Sequence, residues 1–104
     1  MNIKLTYLYR IAANYKQYNE VVFANPSELP IQKIQSAITK NLIDENWFIA
    51  KDWNLLDLHF KKYDWDDEID HDWHEFSVIE EKNDIPTAEQ SVEELIERIS
   101  YIVK

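Results

Sequence analysis

The chain has 104 residues, of which 45% are hydrophobic and 13% aromatic, and a formal net charge of −9. That suits one globular domain able to bury roughly 60–70% of its unfolded surface, and no apolar run reaches the roughly 18 residues of a membrane span. Cysteine and glycine are both absent. This excludes disulfides, thiolate nucleophiles and Cys-based zinc sites, and disfavours phosphate loops, dinucleotide fingerprints and nucleophile elbows, which need glycine.

In chain order, residues 3–11 alternate: Ile3, Leu5, Tyr7, Tyr9 and Ile11 share one face, Lys4, Thr6, Leu8 and Arg10 the other. A period of two predicts a half-buried strand. Residues 20–24 read as a second strand ended by Asn25 and Pro26, with residues 12–19 as a polar hairpin loop. Pro30 fits the first turn of a helix whose apolar stripe is Ile31, Ile34, Ala37, Ile38 and Leu42, with Asn41 as its stop. Residues 46–50 suggest a short strand, and residues 53–60 fit a strand or a helical turn equally. Residues 74–81 predict another strand, with Phe76 and Val78 on one face, ended before Pro86. Ser91 and Glu94 form a capping-box pair ahead of Val92, Leu95, Ile96, Ile99, Ile102 and Val103, a final amphipathic helix. The expected fold is α+β: a small antiparallel sheet, with an N-terminal hairpin and later strands, covered by two helices in a single domain over residues 1–104. Left-handed turn positions are expected at the eight asparagines. Met1 to Thr6 lacks the apolar core of a secretory signal, so a cytoplasmic location is expected.

Residues 7–16 (Tyr-Leu-Tyr-Arg-Ile-Ala-Ala-Asn-Tyr-Lys), 20–26, 73–76 (Trp-His-Glu-Phe) and the pair Pro86-Thr87 carry a resemblance. The chain resembles a small uncharacterised bacterial family with these motifs spread over most of its length. No activity, cofactor or partner comes with that resemblance, only a bacterial origin. Ile11 stands where the family pattern has Asp, and Asn19 where it has Gly. The second exchange is expected to keep a left-handed turn.

Charge is uneven: residues 1–43 sum to +3 and residues 44–104 to −12. Its focus is the run of residues 63–76, where Asp64, Asp66, Asp67, Glu68, Asp70, Asp72 and Glu75 alternate with Trp65, Trp73 and Phe76, beside His71 and His74. Aromatics in such a run indicate a folded surface rather than a disordered tail. Counted from Asp64, acids fall at positions 1, 3, 5, 7, 9 and 12, as in an EF-hand loop, but Ile69 replaces the glycine that the loop needs at position 6. Asp70, His71, Asp72 and His74 are weak transition-metal candidates, because i and i+3 on a strand point apart. His74 and Glu75 are the weak candidates for acid–base catalysis, with no nucleophile positioned beside them. Alternate carboxylates about 6.6–6.8 Å apart on an extended segment could imitate phosphates. A secondary polar patch, Arg10, Asn14, Tyr15 and Lys16, could stack a single strand, but its two cations are few on a molecule of net charge −9. The plainer reading makes Tyr7 and Tyr9 core, pairs Arg10 with a carboxylate, makes His74 a hydrogen-bonded member of the sheet and has the tryptophans pack.

The expected function is a non-catalytic protein-binding module. Trp65, Asp66, Asp67, Asp70, Asp72 and Trp73 would contact a protein with a basic surface; no cofactor, nucleic acid or membrane is implied. The alternatives are a nucleic-acid-mimicking inhibitor and a small metal-dependent or acid–base hydrolase.

Overall fold

The computed structural model describes residues 1–11, 15–56, 58 and 73–102. Strands β1 (Asn2–Ile11), β2 (Tyr15–Phe23), β3 (Trp47–Ile49) and β4 (Trp73–Lys82) form one antiparallel sheet in the order β2-β1-β4-β3. Helices α1 (Ile31–Lys40) and α2 (Val92–Ser100) both pack on one of its faces. The fold is therefore the expected α+β arrangement.

The alternation of β1 builds that face. Ile3, Leu5, Tyr7 and Tyr9 are almost fully buried and form one cluster with Phe23, Phe48 and Ile79 from the other strands. The helices contribute Ile34, Ile38, Val92, Leu95 and Ile99, residues at helical spacing on each apolar stripe. Each such side chain stabilises the fold by about 1.5–3 kcal/mol through burial. Pro30 caps α1, Asn41 ends it, and Ser91 and Glu94 bond reciprocally at the start of α2.

Three local features differ from the expectation. First, β2 begins at Tyr15, so residues 15–19 belong to a strand rather than a loop, in unbroken register with β1 from Ile3↔Phe23 to Ile11↔Tyr15. Pairing with a strongly alternating neighbour overrides weak local propensity. Asn19 is thus not at a left-handed turn: it faces Tyr7 across the ladder, and its Nδ2 donates to the Tyr7 hydroxyl at 3.1 Å.

Second, the β1–β4 register shifts between Thr6 and Tyr7, with Thr6↔Val78 followed by Tyr7↔Phe76. The extra residue, Ser77, makes a bulge that reverses the alternation. Phe76 packs against the core while Val78 is exposed on the opposite face, so the two do not share one.

Third, among the described residues the positive-φ positions are Glu28, Asp44, Glu45 and Asn54, so only one asparagine fills the role assigned to that residue type. Asp44 (φ 50°) and Glu45 (φ 66°) are the centre of a tight turn closed by Asn46 N donating to Ile43 O at 3.1 Å. Positive φ at both central positions is type I′ geometry, normally given to Asn-Gly. The turn sets Ile43 against Trp47 and delivers Trp47 into β3. A 3-10 turn (Ala50–Trp53) follows, and its Trp53 stacks on Phe48 with centroids 4.3 Å apart. No helix among the described residues is long and apolar enough to cross a membrane.

Candidate functional site

Strand β4 carries the described end of the acidic–aromatic run, and its pleat sends consecutive residues to opposite faces. His74 goes inward and is fully buried. The rings of Tyr9, Tyr7 and Phe48 surround it at centroid distances of 5.1, 5.9 and 6.0 Å. Its Nε2 accepts the backbone N–H of Leu58 at 3.0 Å. A ring nitrogen that accepts a backbone proton carries a lone pair, so this imidazole is neutral. Close by, the Tyr7 hydroxyl donates to Leu56 O at 2.7 Å. His74 and Tyr7 therefore tie residues 58 and 56 to the sheet, with His74 a hydrogen-bonded member of the core.

Trp73 and Glu75 go outward, onto the face that neither helix covers. Glu75 lies opposite Leu8 on β1 and opposite Trp47 on β3. Two residues beyond Leu8, Arg10 forms a fork with Glu75: Nε donates to Oε1 at 2.6 Å and Nη2 to Oε2 at 3.3 Å. The Glu75 carboxylate, by hydrogen bond and then by charge, raises the Arg10 pKa above the ordinary arginine value. Trp73 stacks on Trp47, with centroids 5.3 Å apart and planes inclined by 27°. Together Arg10, Trp47, Trp73 and Glu75 line a shallow cavity of about 230 Å³, with Trp73 still 38% exposed. Two further ion pairs stand on this face, Lys4 with Glu20 at 2.8 Å and Lys82 with Glu80 at 3.6 Å.

Such a site can bind but is poorly arranged to react. Both Glu75 oxygens are engaged by Arg10, and His74 is on the other side of the sheet, so the two do not form an acid–base pair. His74 also lies in the core rather than beside an accessible metal position, and among the described residues no group of three or more His, Asp or Glu could hold an ion. Of the sequence-based candidates, Trp73, Arg10 and Glu75 meet here, while Lys16 sits on the exposed sheet edge. Trp65, Asp66, Asp67, Asp70, His71, Asp72 and Asn14 lie outside the described residues, as does the EF-hand-like spacing apart from Glu75; Tyr15 is described only as the first residue of β2.

Trp47 is the site residue that sequence reasoning left among general packing residues. Nothing local marks it; its role comes from the β3–β4 register, which sets Ile49 against Trp73 and Trp47 against Glu75. A second cavity, about 350 Å³, runs under the β2 edge between Asn19, Val21, Leu56, Ala88 and Gln90. No family model, no curated protein and no solved structure matches this chain.

Proposed function

We propose that this chain is a small, acidic, non-catalytic protein-binding module of the cytoplasm. Its site is the outer-face cluster around Trp73, and its partner is a protein with a basic surface. One observation carries the reading: a stacked, half-exposed tryptophan pair beside a forked arginine–carboxylate pair, on a sheet face left open by both helices. Tryptophan and arginine in a partly desolvated pocket are the residue types that dominate binding free energies. Residues 57–72, which run directly into Trp73, carry seven acidic and two basic side chains, −5 of the total −9. Carboxylates at the margin of an aromatic anchor speed encounter with a basic partner and repel acidic ones.

The test is capture of a partner from native lysate by wild type, by Trp73→Ala, and by a variant with Asn at positions 66, 67, 70 and 72. Trp73→Ala, checked to be folded, is expected to weaken the captured complex by more than about 1 kcal/mol. The Asn variant is expected to slow association and to flatten its salt dependence. A folded Trp73→Ala protein that binds with unchanged affinity would remove the cluster from the site. Competition by DNA or RNA for the captured partner would move the reading to nucleic-acid mimicry.

A further inference from the structure

The sheet has two edges, and they are finished differently. At β3 the edge is short and met by Ile43, whose N and O both bond Trp47. At β2 only one end is met: Thr87 N and Ala88 N both donate to Val22 O, and Val22 N donates to Thr87 Oγ1. Val22 therefore turns its backbone groups away from β1. In an antiparallel ladder, hydrogen-bonded and non-hydrogen-bonded pairs alternate. The β1–β2 register has no shift, so Glu20, Tyr18 and Lys16 also turn their N–H and C=O outward. Among the described residues nothing accepts from or donates to those groups, and all three residues are exposed. The free stretch contains no proline and no bulge, two of the devices that blunt an edge, and its charges, Lys16 and Glu20, are of opposite sign.

Its side chains are self-complementary. Lys16, Tyr18 and Glu20 point to the outer face in the order cation, aromatic, anion. We propose that this edge pairs antiparallel with the same edge of a second copy of the chain, centred on Tyr18, joining two four-stranded sheets into one of eight strands. A two-fold axis at Tyr18 sets Lys16 against the partner's Glu20, Tyr18 against the partner's Tyr18, and Glu20 against the partner's Lys16. All three are positions whose outward backbone groups can exchange hydrogen bonds, which is what a closed, isologous interface needs. Lys4 already holds Glu20 at 2.8 Å, and with its side chain 58% exposed Glu20 keeps room for a second cation. The geometry also limits the contact. Strand β2 starts at Tyr15, which would lie opposite the partner's Val21, so a strand paired about Tyr18 stops short of the Val22 groups that Thr87 and Ala88 occupy. Slipping by two residues replaces both ion pairs with charge–tyrosine contacts. A one-residue slip sets outward groups against inward ones.

The edge strand lies two strands from Trp73, but Lys16 faces Arg10 of the Trp73 cluster, so the variant that separates pairing here from partner binding there is the one at Tyr18. The test is sedimentation of the full chain over a range of concentrations. Wild type is expected to be a dimer that dissociates on dilution. Lys16→Glu, which sets like charges opposite each other twice, is expected to raise the dissociation constant about tenfold or more. The double variant Lys16→Glu/Glu20→Lys, which restores the complementarity in reverse, is expected to recover dimerisation. Tyr18→Pro removes an N–H that the β1–β2 ladder does not use and is expected to leave a folded monomer. Amide hydrogen exchange at Tyr18 should be slow in the dimer and fast in the dilute wild-type monomer and in Lys16→Glu. A wild-type chain that is monomeric at every concentration overturns the proposal. So does a dimer indifferent to Lys16→Glu, or one whose Tyr18 amide exchanges freely.

Discussion

Three consecutive residues of β4 set the two faces of the sheet side by side. His74 is sealed among Tyr7, Tyr9 and Phe48 with its ring nitrogen committed to Leu58, while Trp73 and Glu75 stand on the face that no helix covers. The inner face is accounted for by stability: its core side chains exclude water, and the buried Asn25, His74 and Gln90 each have a hydrogen-bond partner. The outer face holds a tryptophan stack and a forked ion pair that the isolated fold has less need of. Exposed ion pairs stabilise little, and a half-exposed indole leaves apolar area uncovered. Function is to be sought on the strand positions that the core does not explain.

Substitutions that separate the faces should follow that division. Phe48→Ala opens a cavity between Tyr7 and Trp53 and is expected to cost about 3–5 kcal/mol in chemical denaturation. A loss below 1 kcal/mol would mean that the inner face is not close-packed. His74→Phe keeps a ring in place but leaves the Leu58 N–H without its acceptor, for a loss of about 1–3 kcal/mol. If stability is unchanged, that hydrogen bond is not made in solution. On the outer face Trp73→Ala removes the stack on Trp47 and is expected to cost only about 1 kcal/mol; a loss as large as that of Phe48→Ala would erase the contrast.

The connection that delivers Trp47 should respond with the opposite sign. Glu45→Gly relieves a left-handed residue in the type I′ turn and is expected to stabilise the protein by about 1 kcal/mol. Loss of stability would show that the Glu45 side chain has a role beyond the turn. The smallest effect is assigned to Lys4, whose pKa is raised above the ordinary 10.5 by its hydrogen bond to Glu20 and then by that charge. A raised pKa means that the contribution is full below 10.5 and disappears as pH rises through the higher folded value. Lys4→Gln should therefore differ slightly from wild type in melting temperature at neutral pH and not at all in strongly alkaline buffer.

Features with a local cause were legible in the sequence. The period of two in β1, the helical stripe after Pro30, the stop at Asn41 and the Ser91–Glu94 capping box each depend on side chains within a turn or two of one another. The pairing of Arg10 with a carboxylate was legible in kind, since a half-buried cation on a strand needs one; which carboxylate was not. Tertiary structure alone decided the rest. The length of β2 was set by its neighbour, the facing of Phe76 and Val78 by the bulge at Ser77, and the meeting of Trp47 with Trp73 by a register between strands more than twenty residues apart. The left-handed residues Glu28, Asp44 and Glu45 belong here too: with no glycine available, chain closure selected the backbone angle and the local preference yielded. Propensity, periodicity and capping act over one or two turns, so sequence determined the elements and the α+β class. Register and turn geometry are chosen by the sum of contacts across the sheet, so only the folded chain decided which side chains share a site.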